Sequence, residues 1–181
     1  HGELDSMKIA SFNNALLEAY DVYKVNLDRN QDLSIYNTLI IAKPTQPFSE
    51  QHKFTLDQYL MQGGKLMFLI DKLDAQMDSA SNESYFAFPY NLNLDDQLFK
   101  YGIRLNFDLV QDQSAGMYPV VTGKVGNKPN MQLMPWPFFP LINRYADHPI
   151  THNLDAVVTK FVGSLDTVKA DGVKKTPLLF T

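Results

Sequence analysis

Hydrophobic positions in the first half of the chain follow two periods, one helical and one extended. Across residues 6–20 the apolar side chains recur at spacings of three and four, which predicts an amphipathic helix. Residues 37–42 and 65–71 are short apolar runs, typical of strands that are buried on both faces. A second helix is predicted between them, over residues 50–62, with Ser49 as its N-cap. This order predicts a β–α–β unit with parallel strands and a right-handed crossover.

The second half of the chain shows mainly strand-like runs separated by turns. A third helix is predicted over residues 94–101, with Gly102 as its C-terminal stop. The other predicted strands are short and cover residues 22–27, 107–111, 118–123, 130–134, 157–162 and 177–181. We therefore expect residues 1–181 to form a single α/β domain, with a mainly parallel sheet and an antiparallel β addition in its second half.

Composition and charge exclude several classes of protein. The chain has 181 residues, of which 20 are acidic, 16 are basic and none is cysteine. Without cysteine there is no disulfide, thiolate nucleophile or thiolate-bound metal. The net charge of -4 and the lack of a basic run argue against a nucleic-acid partner. No apolar stretch approaches the roughly 20 residues of a membrane-spanning helix.

The start of the sequence is abrupt. The chain begins at His1, without an initiating Met and without the strand that should precede its first helix. We therefore expect a segment of a longer protein.

Two groups of polar residues have spacings that suit metal ligands. In the first group, Asp28, Asn30 and Asp32 occupy the first three ligand positions of a calcium loop. However, Leu33 and Leu39 stand where such a loop needs glycine and glutamate. A solvated turn therefore explains this group better than a calcium site.

The second group contains His148 and His152, whose spacing of four suits zinc on one face of a helix. Pro149 lies between them at a position where a helix would begin, so His148 falls outside that helix. A turn is again favoured. We expect neither a metal nor a cofactor.

Catalytic motifs are absent from the sequence. It holds no Gly-x-Ser-x-Gly nucleophile elbow, no P-loop and no Gly-x-Gly-x-x-Gly phosphate cradle. Asp95 and Asp96 fall in the first turn of a predicted helix, where the helix dipole accounts for them. We therefore expect no enzyme activity and assign no catalytic residue.

The candidate ligand- or partner-binding residues are Glu3, Lys43, Asp71 and Trp136. Glu3, Lys43 and Asp71 follow inferred strands, and ligands of open α/β sheets bind beyond the carboxyl ends of strands, so these three should share one edge. Trp136 lies in residues 131–141, whose three prolines argue against a regular strand and whose aromatic rings offer apolar area. That segment is either a crossover that covers the core or an aromatic patch that faces a partner.

Several segments together resemble one known family over essentially the whole chain. They are His1-Gly2-Glu3, Leu39–Pro44, Phe54–Asp71, Met134–Pro137 and Asp147–Thr151. The resemblance is to the auxiliary, substrate-binding-like component of gliding-associated ABC transporters in Bacteroidetes-type bacteria (GldG-type). Members of that family typically read Gly-His-Gly-Glu after a first strand. The resemblance implies a flavodoxin-like fold, like that of class I glutamine amidotransferases, with helices on both faces of the sheet.

The same resemblance implies an extracytoplasmic (periplasmic) domain, anchored in the inner membrane by helices outside this segment. Its partners would be the permease and ATPase subunits of the same transporter, with or without an unknown ligand. Class I amidotransferases use a cysteine nucleophile, which this chain lacks, so binding is expected instead of catalysis. Two alternatives stay open: a sugar- or peptide-binding module that uses Trp136, and a hydrolase that uses strand-end carboxylates or His148.

Overall fold

The computed structural model describes residue 7 and residues 9–29, 32–75, 87–126 and 128–181. The chain separates into two compact units, each assembled from two stretches of sequence. The first unit comprises His1–Asp71 and Tyr90–Lys100, and the second comprises Lys72–Pro89 and Tyr101–Thr181. The expectation of a single domain over residues 1–181 stays a prediction.

The first unit contains a parallel strand pair connected through a helix. Its elements are α1 (Ala10–Leu17), β1 (Thr38–Ala42), α2 (Glu50–Met61), β2 (Lys65–Leu69) and α3 (Asp95–Lys100). β1 and β2 pair in parallel, from Thr38 opposite Lys65 to Ala42 opposite Leu69. The Ser49 hydroxyl accepts a hydrogen bond from the amide of His52 and so caps α2. Local signals in the sequence therefore predicted this β–α–β unit.

The core of the first unit is built from alternating and helical positions. Leu39 and Ile41 of β1 are buried on one face of the strand, as alternation along a strand requires. Leu56 and Tyr59 of α2 are buried at helical spacing. Further buried side chains of this unit come from Phe48 and from Leu92, Leu94 and Leu98 around α3. A segment distant in sequence thus completes this core.

The second unit consists of small antiparallel sheets. Its strands are β3 (Leu73–Asp74), β4 (Phe88–Pro89), β5 (Ile103–Leu105), β6 (Ala115–Val125), β7 (Lys128–Ile142), β8 (Arg144–Tyr145), β9 (Val157–Val158), β10 (Leu165–Thr167) and β11 (Leu179–Phe180). β3 pairs with β4, β5 with β10 and β8 with β11. β6, β7 and β9 form a three-stranded sheet. Its main feature is the long β6–β7 hairpin.

The expected fold class, a flavodoxin-like or class I glutamine amidotransferase-like sheet that is mainly parallel, is wrong. β1 and β2 are the one parallel pair among the described strands, and the other pairs are antiparallel. The physical reason is the short length of the connections between consecutive strands. A further parallel strand needs a crossover of a dozen or more residues, but β2 is followed at once by β3, and β6 by a tight turn into β7.

Two predicted strands are not strands in the structure. Residues 22–27 are irregular, Tyr23 among them is largely exposed, and none of the described strands pairs with them. Residues 107–111 are also irregular, although the amide of Val110 donates to the carbonyl of Val162 at 2.9 Å. The regular strand lies just before them, at β5.

The proline-rich segment 131–141 is a strand throughout, as predicted for residues 130–134 but against expectation for the rest. It forms most of β7, which includes Pro135, Pro137 and Pro140. Over most of its length β7 pairs with β6 alone, because β9 reaches only Leu141 and Ile142. Proline is accepted in an edge strand because its nitrogen, which carries no hydrogen, can face away from the partner strand.

Candidate functional site

Lys43 and Asp71 lie together at the carboxyl ends of β1 and β2. The Lys43 ammonium is 2.9 Å from a carboxylate oxygen of Asp71, with side-chain exposures of 24% and 36%. The amide of Lys43 donates to the carbonyl of Leu69 at 2.7 Å and extends the parallel pairing by one residue. Parallel strands place their carboxyl ends at the same edge of a sheet, which explains the proximity of the two residues.

The backbone of Lys43 has an uncommon conformation. Its φ angle is 48°, in the left-handed region that non-glycine residues seldom adopt. Such a conformation persists only where the surrounding structure enforces it, and it recurs at binding sites. Lys43 and Asp71 thus offer two partly exposed charges of opposite sign at a strained turn. A polar ligand or the charged rim of a partner protein suits this arrangement.

The other two predicted site residues are Glu3 and Trp136. Glu3 lies outside the described residues. Trp136 belongs to the second unit, on β7, and its ring centroid is 6.0 Å from that of Tyr118. Among the described residues the indole nitrogen of Trp136 is buried and has no hydrogen-bond partner. Trp136 is therefore half-buried in an aromatic cluster instead of presenting its ring to solvent.

That aromatic cluster forms the inner face of the β6–β7 hairpin. Phe139 is buried and meets Tyr118 and Phe161 edge to face, with centroid distances of 5.7 and 5.4 Å. Edge-to-face contacts of this kind stabilise by about 0.5–1.5 kcal/mol beyond simple burial. The aromatic residues that suggested a partner-facing patch thus belong largely to the packing of the second unit.

Sequence reasoning missed a buried lysine on α2. Lys53 is 6% exposed, and its ammonium donates to both carboxylate oxygens of Asp96 at 2.8 Å. The same ammonium donates to Glu50 at 2.9 Å, and the side-chain amide of Gln97 donates to the Lys53 carbonyl at 3.1 Å. Nothing in the sequence indicated the Lys53–Asp96 contact, because the two residues are 43 positions apart.

The charges of this cluster shift one another's pKa values. The hydrogen bond from Lys53 lowers the pKa of Asp96 below its ordinary value of 3.8, and the pKa of Glu50 is also lowered, mainly by Lys53. The bond to Asp96 in turn raises the pKa of Lys53. Each shift favours the charged form, so the cluster is an ion-pair network that joins α2 to α3. It is not a poised acid or base, which would need a pKa near neutrality.

The described residues with metal-like spacing form turns and side-chain contacts, and Asn30 lies outside the described residues. Asp28 lies 3.0 Å from the Nε2 atom of His52, and Asp32 accepts from the amide of Ser34. The His148 Nδ1 atom accepts from the amide of Ile150 at 3.2 Å, within a turn that ends near His152. In the part of the chain that the structure describes, no three His, Cys, Asp or Glu side chains are grouped to share a metal ion.

The first unit also has a shallow surface groove of about 200 Å³ beside α2. It is lined by Asp32, Leu33, Ser34, Phe54, Thr55, Gln58, Tyr59 and Gln62. A groove of this size is smaller than the roughly 300–1,000 Å³ of typical small-molecule sites. It therefore supports no specific ligand.

The outward face of the β6–β7 hairpin is apolar and exposed. We call it the outer strip; it consists of Met117, Pro119 and Val121 on β6 and of Met131, Leu133 and Pro135 on β7. The register pairs Met117 with Pro135, Pro119 with Leu133 and Val121 with Met131, so all six side chains share one face.

Comparison with solved structures identifies the class of fold. The chain is similar to a structure described as the mmIFT52 N-terminal domain, with a TM-score of 0.57 and 16% sequence identity. The similarity covers 92% of this chain and 65% of that chain, so the chain spans less than two thirds of its length. At this identity the likeness concerns the fold alone, and it replaces the flavodoxin-like expectation.

Sequence comparison then gives the family. The whole chain, residues 1–181, matches the family described as "ABC-type uncharacterized transport system". The chain therefore belongs to this family. No curated protein matches it in sequence. Among the described residues, no helix has the length and apolar character needed to cross a bilayer.

Proposed function

We propose that the chain is a non-catalytic, extracytoplasmic domain of an ABC transporter complex of the gliding-associated GldG type. The observation that carries this proposal is the match to an ABC-type transport family along the entire chain. In this proposal the domain acts by binding, and its partners are the permease and ATPase subunits of the same system. The buried ion-pair network around Lys53 fits a structural role, which supports binding over catalysis.

The Lys43–Asp71 pair is the binding site that this proposal assigns. Its support is the position at the carboxyl ends of two parallel strands, together with partial exposure and the left-handed backbone of Lys43. The alternative of a sugar- or peptide-binding module based on Trp136 is less well supported, because that ring packs against Tyr118.

Affinity purification of the tagged full-length protein from its native host tests the complex. We expect the permease and the ATPase to be recovered with the wild type, and to be recovered less with Lys43→Ala/Asp71→Ala. An exposed ion pair contributes about 0–1 kcal/mol, so this variant should keep nearly the wild-type melting temperature. Recovery of both subunits at wild-type levels with the variant would show that the pair has no role in binding them.

A charge-exchanged variant, Lys43→Asp/Asp71→Lys, is the matched control for that experiment. It restores an ion pair but inverts the two charges that a partner meets. If the pair recognises a partner, this variant is stable yet still recovers less permease and ATPase. If the pair acts only on stability, the exchange restores recovery.

Location is tested by cysteine labelling, which the cysteine-free chain makes simple. Met61 is 76% exposed, and Met61→Cys should react with a membrane-impermeant maleimide in intact spheroplasts. Leu56→Cys, at a buried position on the same helix, is the control and should react only after unfolding. Labelling of Met61→Cys only after lysis would refute an extracytoplasmic position.

A further inference from the structure

The apolar side chains of the outer strip are mostly exposed to solvent. Leu133 is 69% exposed, Met117 is 62% exposed, and Val121 and Met131 are each 57% exposed. The opposite face of the same hairpin packs in the aromatic cluster around Phe139. Contiguous exposed apolar patches mark surfaces that bind a protein or a membrane.

The edges of this hairpin are unsuited to adding another strand. Pro119 lies on β6, and Pro129, Pro135 and Pro137 lie on β7. Proline offers no backbone donor to a neighbouring strand and is one means by which edge strands avoid pairing. An occupant of the hairpin is therefore expected on the face of the outer strip and not along an edge.

The charge around the outer strip has one sign. The sequence from Gln113 to Ala146 contains no Asp or Glu, although the whole chain has a net charge of -4. Lys124 is exposed near the tip of the hairpin and pairs with Pro129, which continues the alternation of Met131 and Leu133, so Lys124 lies on the face of the outer strip. Lys128 is also exposed, but it pairs with Val125 and lies on the opposite face. A lysine beside an apolar face, in a stretch without acidic residues, complements an anionic surface.

The side chains of the outer strip favour a lipid surface over a protein surface as the anionic partner. Its side chains are flexible or aliphatic, namely Met, Leu, Val and Pro, and it lacks the Tyr, Trp and Arg that anchor protein–protein interfaces. Unbranched Met side chains adapt to irregular apolar surroundings. Apolar side chains that enter the acyl boundary while lysines reach the headgroups are the usual combination in proteins that lie on membranes.

We propose that the outer strip lies on the surface of an anionic lipid bilayer, with Lys124 at the level of the phosphate groups. This contact involves no transporter subunit, so it goes beyond the proposed function. Either proposal can be refuted without the other. It orients the second unit with the β6–β7 hairpin flat against the membrane.

Co-sedimentation of the 181-residue chain with lipid vesicles tests the proposal. We expect binding to vesicles of phosphatidylcholine mixed with phosphatidylglycerol, and little binding to phosphatidylcholine alone. Lys124→Gln should weaken binding by about five-fold, whereas Lys128→Gln, on the opposite face, should weaken it less. Added salt should weaken binding of the wild type. Met131→Ser/Leu133→Ser should abolish binding.

Met134→Ser is the matched control for the strip variant. Met134 is 45% exposed and lies between Leu133 and Pro135 in β7, but alternation places it on the opposite face. We expect this variant to bind vesicles like the wild type. A polarity-sensitive label on Leu133→Cys should shift to shorter wavelength with anionic vesicles, whereas the same label on Met134→Cys should not.

Three outcomes would overturn the proposal. The first is wild-type protein that stays in the supernatant with anionic vesicles. The second is equal loss of binding in the strip variant and in Met134→Ser, with both variants folded by circular dichroism. The third is concentration-dependent self-association that Met131→Ser/Leu133→Ser removes while vesicle binding persists, since a second copy would then occupy the outer strip.

Discussion

Gly64 shows how one residue can limit the packing of the first unit. A Cβ at this position would overlap the ring of Tyr59. That ring has little freedom to move, because Tyr59 is buried, its hydroxyl donates to the Tyr36 carbonyl at 3.0 Å, and it accepts from the Lys65 amide. The glycine is therefore required for close approach at the start of β2, and not only for the turn that ends α2.

We predict that Gly64→Ala lowers the free energy of unfolding by about 1–3 kcal/mol, the usual cost of overpacking. Thermal or urea unfolding measures the loss. The same substitution in a Tyr59→Leu background should cost much less, because the clashing ring is gone, and this double-mutant cycle isolates the contact. An equal cost in both backgrounds would assign the effect to the backbone.

Lys43, Asp71 and Trp136 show how much of the candidate site the sequence could predict. The proximity of Lys43 and Asp71 follows from strand order, because each residue comes just after a strand of one parallel pair. The surroundings of Trp136 depend on Tyr118, from the opposite strand of the hairpin. No local pattern encodes that packing, so the sequence left its exposure open.

At the scale of elements, local signals explain which predictions agree with the structure. α2 and its two flanking strands lie within two residues of their predicted ends, because Ser49 caps the helix and Gly63 ends it with a φ of 94°. By contrast, β5 pairs with β10 about 60 residues later, and no turn or period in the sequence announces that pairing. The predicted fold class was wrong because it depends on long-range pairings of this kind.

The ion pair between Lys53 on α2 and Asp96 on α3 makes the stability of the fold depend on pH. The pKa of Asp96 is lower in the folded protein than its ordinary value of 3.8, because Lys53 donates to both carboxylate oxygens. A lowered pKa contributes stability that is complete above the ordinary value and is lost as pH falls through the lowered one. The pairing therefore stabilises the fold at neutral pH and fades in acid.

We predict that Asp96→Asn lowers the free energy of unfolding by about 1–2 kcal/mol at neutral pH, allowing for the partial exposure of the carboxylate. The difference from wild type should shrink as the pH falls below the ordinary carboxyl pKa of 3.8 and through the lowered pKa of Asp96. Chemical unfolding at neutral pH and at acidic pH measures this change. Asp171→Asn, which removes an exposed carboxylate of the second unit, is the control. An equal effect of both substitutions would mean that general charge, not the Lys53 contact, is responsible.

At the scale of the whole molecule, the path of the chain makes the first unit depend on a remote segment. The chain leaves this unit after Asp71 and returns for Tyr90–Lys100. The returning segment is tied in by backbone and side chains: the Phe48 amide donates to the Leu92 carbonyl at 2.9 Å, and the Asn93 side chain donates to the Phe48 carbonyl at 2.8 Å. The buried side chain of Leu98 completes the same core.

This dependence predicts that Leu98→Ala loosens the parallel strand pair as well as α3. Leu98 is 5% exposed, and removal of a buried Leu side chain typically costs about 2–5 kcal/mol. Because β1, β2 and α3 share one core, amide hydrogen exchange should accelerate in β1 and β2 of the variant, although both strands lie far from the substitution in sequence. Phe99→Ala, at a 53% exposed neighbouring position, should leave exchange in both strands nearly unchanged. Faster exchange confined to residues 90–100 would contradict a shared core, because it would show that β1 and β2 hold together without the returning segment.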